Sequence, residues 1–227
     1  MTLDETLAAL RALAPAAGAE RDRNLAGMAR YGIDVSSAVG VPVPALRKLA
    51  RRTGRDQPLA EALWDTGIRE ARILASLAGD PRLIARETMD RWAAESGSWE
   101  VCDACTGNLF RLSPHAWAAV KDWAPDEREF VRRAAFSLLA ALAVHDRQAP
   151  DSRFLEGLDL IAQYSFDGRN FVRKAVNWAL RNIGKRSRTL RPAAVETALR
   201  IRDQNTRAAR WIASDALREF AVREPGK

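Results

Sequence analysis

The sequence predicts an all-α protein built as a helical solenoid, on three observations. Nowhere in the 227 residues do apolar and polar side chains alternate long enough to mark a strand, while Ala, Leu and Arg abound. Apolar residues recur instead at helical spacing, in segments closed by Pro and Gly breaks. A short pattern also returns at an interval that holds one pair of helices.

Taken in order, Thr2-Leu3-Asp4-Glu5 is a capping box that opens a helix ending before Pro15. A second helix is expected from about Glu20 to Tyr31, and Gly32, Gly40 and Pro42 make a connector. Pro44 starts a helix through Arg52 and Pro58 another to Trp64, because a proline in the first turn gives up an N–H that has no helical partner there. Segments 69–78 and 81–95 read as an antiparallel pair, and Ser113-Pro114 as the cap of a short helix. Longer helices are expected at about 127–144, 152–164, 170–186, 192–202 and 206–222. The expected organisation is one domain over 1–227, with a helical cap at 1–26, a repeat body at 27–222 and a tail at 223–227.

The recurring pattern is Phe130-Val131-Arg132-Arg133-Ala134-Ala135-Phe136, then Phe171-Val172-Arg173-Lys174-Ala175-Val176-Asn177, then more loosely Thr206-Arg207-Ala208-Ala209-Arg210-Trp211-Ile212. Ala134 and Ala175 are 41 residues apart, Ala175 and Ala209 34. Such an interval is the period of a HEAT or armadillo solenoid, in which each helix pair buries its apolar stripe against its neighbours. The best earlier copy is Arg69-Glu70-Ala71-Arg72-Ile73-Leu74. The inner helices would line a concave surface carrying the repeated basic positions, broad enough for a nucleic-acid duplex.

Charge supports that partner. The formal net charge is +7, but Arg128 to Arg218 holds 18 Lys and Arg against 9 Asp and Glu, so the excess is concentrated there. Between Gly168 and Val195 no acidic residue interrupts Arg169, Arg173, Lys174, Arg181, Lys185, Arg186, Arg188 and Arg191. Such a stripe is the footprint of phosphate-backbone binding; the bland alternative is a solvated face that serves only solubility. With 29% charged residues, a mean hydropathy of −0.28 and no apolar run of about 18 residues, the composition is that of an ordinary soluble protein. The first residues lack the pattern of a secretory signal, so a cytoplasmic location, associated with the nucleoid through DNA, is expected.

The stretch Ser98 to Phe110 stands apart. On a helical wheel Val101, Cys102, Cys105 and Leu109 share one apolar arc, while Trp99, Asp103, Thr106 and Phe110 line up on a second face that does not read as core. A carboxylate and an indole on one edge suit a flat, cationic ligand. The two cysteines read as small buried thiols, since neither a βαβ setting for redox chemistry nor two further ligands at zinc-finger spacing accompany them. In the helix at 170–186, Phe171, Val172, Ala175, Val176, Ala179, Leu180 and Ile183 form one broad face, with Arg173, Lys174, Asn177 and Arg181 opposite and Trp178 at the boundary.

Gly40-Val41-Pro42-Val43-Pro44-Ala45-Leu46-Arg47, Leu63-Trp64-Asp65, Ser98-Trp99-Glu100-Val101-Cys102-Asp103, Val131-Arg132-Arg133-Ala134-Ala135 and Val172-Arg173-Lys174-Ala175-Val176-Asn177-Trp178 together resemble, in order, the AlkD family of HEAT-like-repeat DNA glycosylases for alkylated bases. The resemblance spans about Met28 to Phe220. It implies a right-handed, C-shaped solenoid whose concave basic face holds duplex DNA carrying a cationic N3- or N7-alkylpurine. The family's catalytic aspartate falls on Asp103, its lesion-flanking tryptophans on Trp99 and Trp178, and its active-site arginine on Arg133. Arg132, Arg169, Arg173, Lys174, Arg181, Lys185 and Arg210 would hold the DNA backbone. No metal or organic cofactor is implied, and the family leaves the damaged base unenclosed. Two positions depart from the family pattern: Ser98 stands where an aromatic residue is common, and Glu100 where an aspartate often is.

The side chains suit that chemistry. An alkylated purine already carries positive charge and leaves without strong acid help, so the need is for negative charge beside an oxocarbenium-like sugar. Asp103 would provide it, the indoles would offer electron-rich faces, and Arg133 would hold a phosphate and favour the ionised carboxylate. Three readings follow: a monofunctional glycosylase for cationic alkylpurines; a non-catalytic binder of damaged or branched DNA on the same scaffold; and a protein-binding scaffold with an incidental basic face. A monomer with no membrane contact and no obligate protein partner is expected.

Overall fold

The computed structural model describes residues 1–222, so the tail expected at 223–227 lies outside the described residues. Every regular element in that range is helical. The chain runs α1 (Leu3–Ala12), α2 (Ala19–Arg30), α3 (Val43–Thr53), α4 (Gln57–Asp65), α5 (Arg69–Ala78), α6 (Arg86–Glu95) and α7 (Trp99–Asn108), then a 3-10 turn at Phe110–Leu112. It continues as α8 (Ala116–Trp123), α9 (Glu129–His145), α10 (Asp151–Tyr164), α11 (Asn170–Arg186), α12 (Leu190–Arg202) and α13 (Arg207–Val222). Packing divides it into two compact units that meet in sequence between Pro114 and His115. Among the described residues no helix is long and apolar enough to cross a membrane.

In the first unit the capping box forms as expected: Thr2 Oγ1 accepts from the Glu5 N–H at 3.2 Å and the Thr2 N–H donates to Glu5 Oε2 at 2.9 Å. The boundary expected after residue 26 falls inside α2. One row of helices is α3, α5 and α7, each packed on the next, with α4 against α5. Trp64 of α4 and Trp92 of α6 stack with ring centroids 4.4 Å apart and planes 4° from parallel, both fully buried. The Trp64 indole N–H donates to Glu95 Oε2 at 2.7 Å, whereas the buried Trp92 indole N–H has no hydrogen-bond partner among the described residues.

Two expectations for this unit are corrected. Helix α6 begins at Arg86 rather than Pro81, because Asp80 folds the chain into a turn first: its carboxylate accepts from the Arg82 N–H and its carbonyl from the Leu83 and Ile84 N–H groups. Segments 69–78 and 81–95 are not a packed antiparallel pair; α5 packs on α3, α4 and α7, whereas α6 lies against α7 and stacks its Trp92 on α4.

In the second unit α9, α11 and α13 form one row and α10 packs on α12, so the recurring sequence pattern marks the starts of the three row helices. Helix α9 is buried without interruption from Val131 to Ala143, as expected of a helix apolar on all sides and enclosed by α8, α10 and α11. Phe130 and Phe171, which open the first two copies, stack at 5.8 Å. The expected Ser113-Pro114 cap is not used: α8 starts at Ala116 behind His115, with no side-chain cap.

Close approach of α10 to α9 depends on Gly157, where a Cβ would meet the Leu139 methyl groups at 3.0 and 3.1 Å. Leu139 is fully buried and has nowhere to retreat. Gly157→Val is therefore expected to cost about 1–3 kcal/mol in urea unfolding; an unchanged midpoint would show that the contact is not tight.

Candidate nucleic-acid interface

Helix α7 is set by its own first residues. Gly97 takes φ 63°, a left-handed conformation open to glycine at little cost, and this turns the chain out of α6. Ser98 is then extended, buried and used as the N-cap, its Oγ accepting from the Val101 N–H at 3.4 Å. Ser98, one of the two departures from the resembled family, is thus the residue that starts the helix. Val101, Cys102, Cys105 and Leu109 are all buried, as the wheel predicts.

The opposite face is smaller than expected. Trp99 and Asp103 are half-buried one turn apart, but Thr106 and Phe110 are sealed in the core. Helix α7 ends at Asn108 and the 3-10 turn changes the phase, so Phe110 rotates inward onto Trp92 at 6.3 Å. The Trp99 indole N–H donates to the Tyr31 carbonyl at 2.9 Å, and Trp99 forms one wall of an open cleft of about 680 Å³ with Asn24, Met28, Tyr31 and Pro42. Burial pushes the Cys105 thiol well above its ordinary range, with Cys102 adding to the shift, so it stays a protonated packing group.

Glu100, between Trp99 and the buried arc, accepts both Nε (2.9 Å) and Nη2 of Arg69, which is 4% exposed. Arg69 also donates to Glu70 Oε1 at 3.0 Å, and the Glu70 carboxylate accepts the Val39 and Gly40 N–H groups at 2.9 Å each. The first turn of α7 is thereby tied to α5 and to the loop before α3.

In the second unit Arg133 is 5% exposed and one Nη donates to the Phe171 carbonyl at 2.7 Å, joining α9 to the start of α11. Trp178 is half-buried at the edge of α11, one turn past the exposed Lys174. Asp167, buried just before α11, accepts from Arg132 Nη1 at 2.6 Å, from the Arg169 N–H at 3.0 Å and from Arg169 Nη2 at 2.6 Å. Burial pushes its carboxyl up, but hydrogen bonds from Arg169 and Arg132 outweigh this and hold it below the ordinary aspartate range.

A family model described as DNA alkylation repair enzyme matches residues 9–220. The chain belongs to that family. One solved structure similar to it is described as belonging to "a new family of proteins related to the HEAT-like repeat DNA glycosylases with affinity for branched DNA structures". The likeness has a TM-score of 0.77 at 20% identity and covers 99% of this chain and 98% of that one, which shows the HEAT-like-repeat fold. A designed armadillo repeat protein in complex with a (KR)4 peptide aligns at 16% identity and a TM-score of 0.41, over 78% of this chain and 92% of its own. No curated protein sequence matches the chain.

Within this family member the predicted residues fall in both units: Trp99 and Asp103 together on α7, and Arg133, Trp178 and the backbone-binding cations in the second unit. Several of those cations are engaged internally. Arg132 is 8% exposed and spends Nε on the Ala124 carbonyl, Nη2 on the Pro125 carbonyl and Nη1 on Asp167, so it is corrected from a DNA contact to a buried structural arginine. Arg169 is committed to Asp167 and the Glu127 carbonyl, Arg181 to Asp215 and Glu219, and Lys185 to Glu219, which leaves each less free to meet a phosphate. Lys174 and Arg210 remain exposed. Sequence reading passed over Glu100 and Asp167 as positioning residues. The signal was there: the Arg69–Glu100 and Arg132–Asp167 pairs are separated by 31 and 35 residues, near the helix-pair interval.

Because the folded carboxyl of Asp167 is depressed, its stabilising contribution is complete above about pH 4 and lost as pH falls through the lowered value. Asp167→Asn is expected to cost about 3–5 kcal/mol at pH 7, leaving Arg132 buried against a neutral partner. Its urea midpoint should then fall less than that of the wild type between pH 5 and pH 3 (about one unit either side of pH 4); parallel pH profiles would refute the assignment.

Proposed function

We propose that the protein is a monofunctional DNA glycosylase that hydrolyses the N-glycosidic bond of cationic N3- or N7-alkylpurines in duplex DNA. The observation that carries this reading is the pairing of Trp99 and Asp103, half-buried one turn apart on a helix start anchored through Glu100 and Ser98. Membership of the DNA alkylation repair enzyme family supports it. As the bond from C1′ to the purine breaks, its electrons neutralise the cationic base, and positive charge moves to the sugar. An ionised Asp103 opposes that charge and positions the water that adds to C1′, and the proton this water loses passes to the carboxylate and on to solvent. Beside Asp103, Trp99 presents an indole face to the cationic nucleotide; in the second unit Trp178 offers a further indole edge to DNA, whereas Arg133, 5% exposed and bonded to the Phe171 carbonyl, holds the start of α11. Lys174 and Arg210, exposed on α11 and α13, are the cations best placed to meet the DNA backbone.

A second reading, a binder of damaged or branched DNA that leaves the glycosidic bond intact, is favoured by the fold likeness to a protein described with affinity for branched DNA. Chemistry at Asp103 separates the two. Under single-turnover conditions the wild type is expected to release 7-methylguanine from methylated duplex, and Asp103→Asn to slow release about 100- to 1000-fold, the range seen when one electrostatic partner of a transition state is removed. Tight DNA binding without release by either protein would favour the binder. Replacing Lys174 and Arg210 with Gln is expected to reduce the slope of log affinity against log salt by about 2, one for each phosphate that is no longer neutralised; an unchanged slope would remove them from the interface.

A further inference from the structure

Of the seven tryptophans, six are buried or half-buried, and Trp211 of α13 is 37% exposed. A lone exposed aromatic residue needs no explanation, but its surroundings are unusual. The Arg173 guanidinium of α11 lies over the Trp211 ring, 4.9 Å from its centroid. Lys174 follows Arg173 on α11, and Arg207 and Arg210 lie within one turn of Trp211 on α13; Lys174 and Arg210 are exposed. The acidic groups of the same seam are occupied: Asp215 by Asn177 Nδ2 at 2.7 Å and by Arg181, and Glu219 by Arg181 and Lys185. The ring is therefore set in a field of positive charge.

The seam between α11 and α13 is also not finished as packing. Arg173 Nε, Asn177 Oδ1 and Arg181 Nε are buried and have no hydrogen-bond partner among the described residues, and Asn177 is only 4% exposed. Natural interiors satisfy nearly all such atoms, and the exceptions gather where a surface serves something besides stability.

We infer that Trp211, backed by Arg173 and flanked by Lys174, Arg207 and Arg210, is a stacking platform for an unpaired nucleotide of a DNA strand. The ring offers a face to a base and the cations meet its phosphates, the combination by which proteins hold single strands. The occupant is an unpaired base because within a duplex every base face is already covered by its neighbours; a fork, a branch or a frayed end exposes one. Arg173 already rests on the indole, so the platform is ordered before DNA arrives. This inference rests on the DNA-binding reading above and extends it from duplex to the junction between duplex and single strand.

The test compares fluorescence-anisotropy affinities for a blunt duplex and for the same duplex ending in two unpaired thymine arms, using wild type, Trp211→Ala and Trp211→Phe. The wild type is expected to favour the fork. Trp211→Ala is expected to reduce the fork-to-blunt affinity ratio about 5- to 100-fold, the worth of one stacked base, and Trp211→Phe to restore most of it. An unchanged ratio in Trp211→Ala, or equal loss on both DNAs, overturns the platform. Release of 7-methylguanine by the wild type is followed in parallel. Duplex binding and base release without a Trp211-dependent fork preference would overturn only this inference, whereas a wild type that binds neither DNA would overturn the DNA-binding reading with it.

Discussion

A guanidinium sealed from water must find its counter-charge inside the protein, and that requirement sets the register of the helix rows. Arg69 and Arg132 each stand at the start of a row helix, and each is less than a tenth exposed. Their partners, Glu100 and Asp167, come from the next helix pair, 31 and 35 residues on. Leaving such a charge unpaired costs several kcal/mol, so the row helices are held at the one offset that satisfies it. A one-residue slip in either row would break that bond, leaving Arg69 with Glu70 alone and Arg132 with two backbone carbonyls.

The same bonds place the candidate site. Glu100 neighbours Trp99 and lies on the first turn of α7, so the interaction that aligns α7 with α5 also orients the tryptophan edge. Ser98 caps that turn and Gly97 allows the reversal before it. Asp167 precedes α11 and fixes Arg169 and Arg132, while Arg133 reaches the Phe171 carbonyl beside it. Much of the basic stretch read as a phosphate-binding stripe is thus used to hold the second unit together. Its charges divide between half-buried counter-ion pairs, such as Arg169, Arg181 and Lys185, and a smaller exposed set that includes Lys174 and Arg188.

Most of the fold was legible because helix signals are local. Thr2 and the prolines at the starts of α3 and α4 act within one turn of themselves, and the apolar stripe of α11 follows from a period of 3.6. The errors arose where a bond or turn outside the helical pattern decided the local structure. Asp80 diverts residues 81–84 into a turn before α6, and the 3-10 turn after Asn108 rotates Phe110 into the core although a continuous wheel puts it beside Asp103. The candidate pair Trp99 and Asp103 was legible as a face; that the face ends after Asp103 was not.

By itself the sequence determined the helical class, the position of nearly every helix, the repeat interval and the carboxylate and indole that share one edge of α7. Those properties depend on neighbours within a few residues, or on similarity between segments, and need no coordinates. Only the tertiary structure decided which arginines are structural, since a guanidinium's role depends on whether a carboxylate a whole helix pair away reaches it first. It alone showed Glu100 and Asp167 as anchors and Trp211 as an exposed ring backed by a cation, because burial and pairing are properties of packed helices rather than of the residues in them.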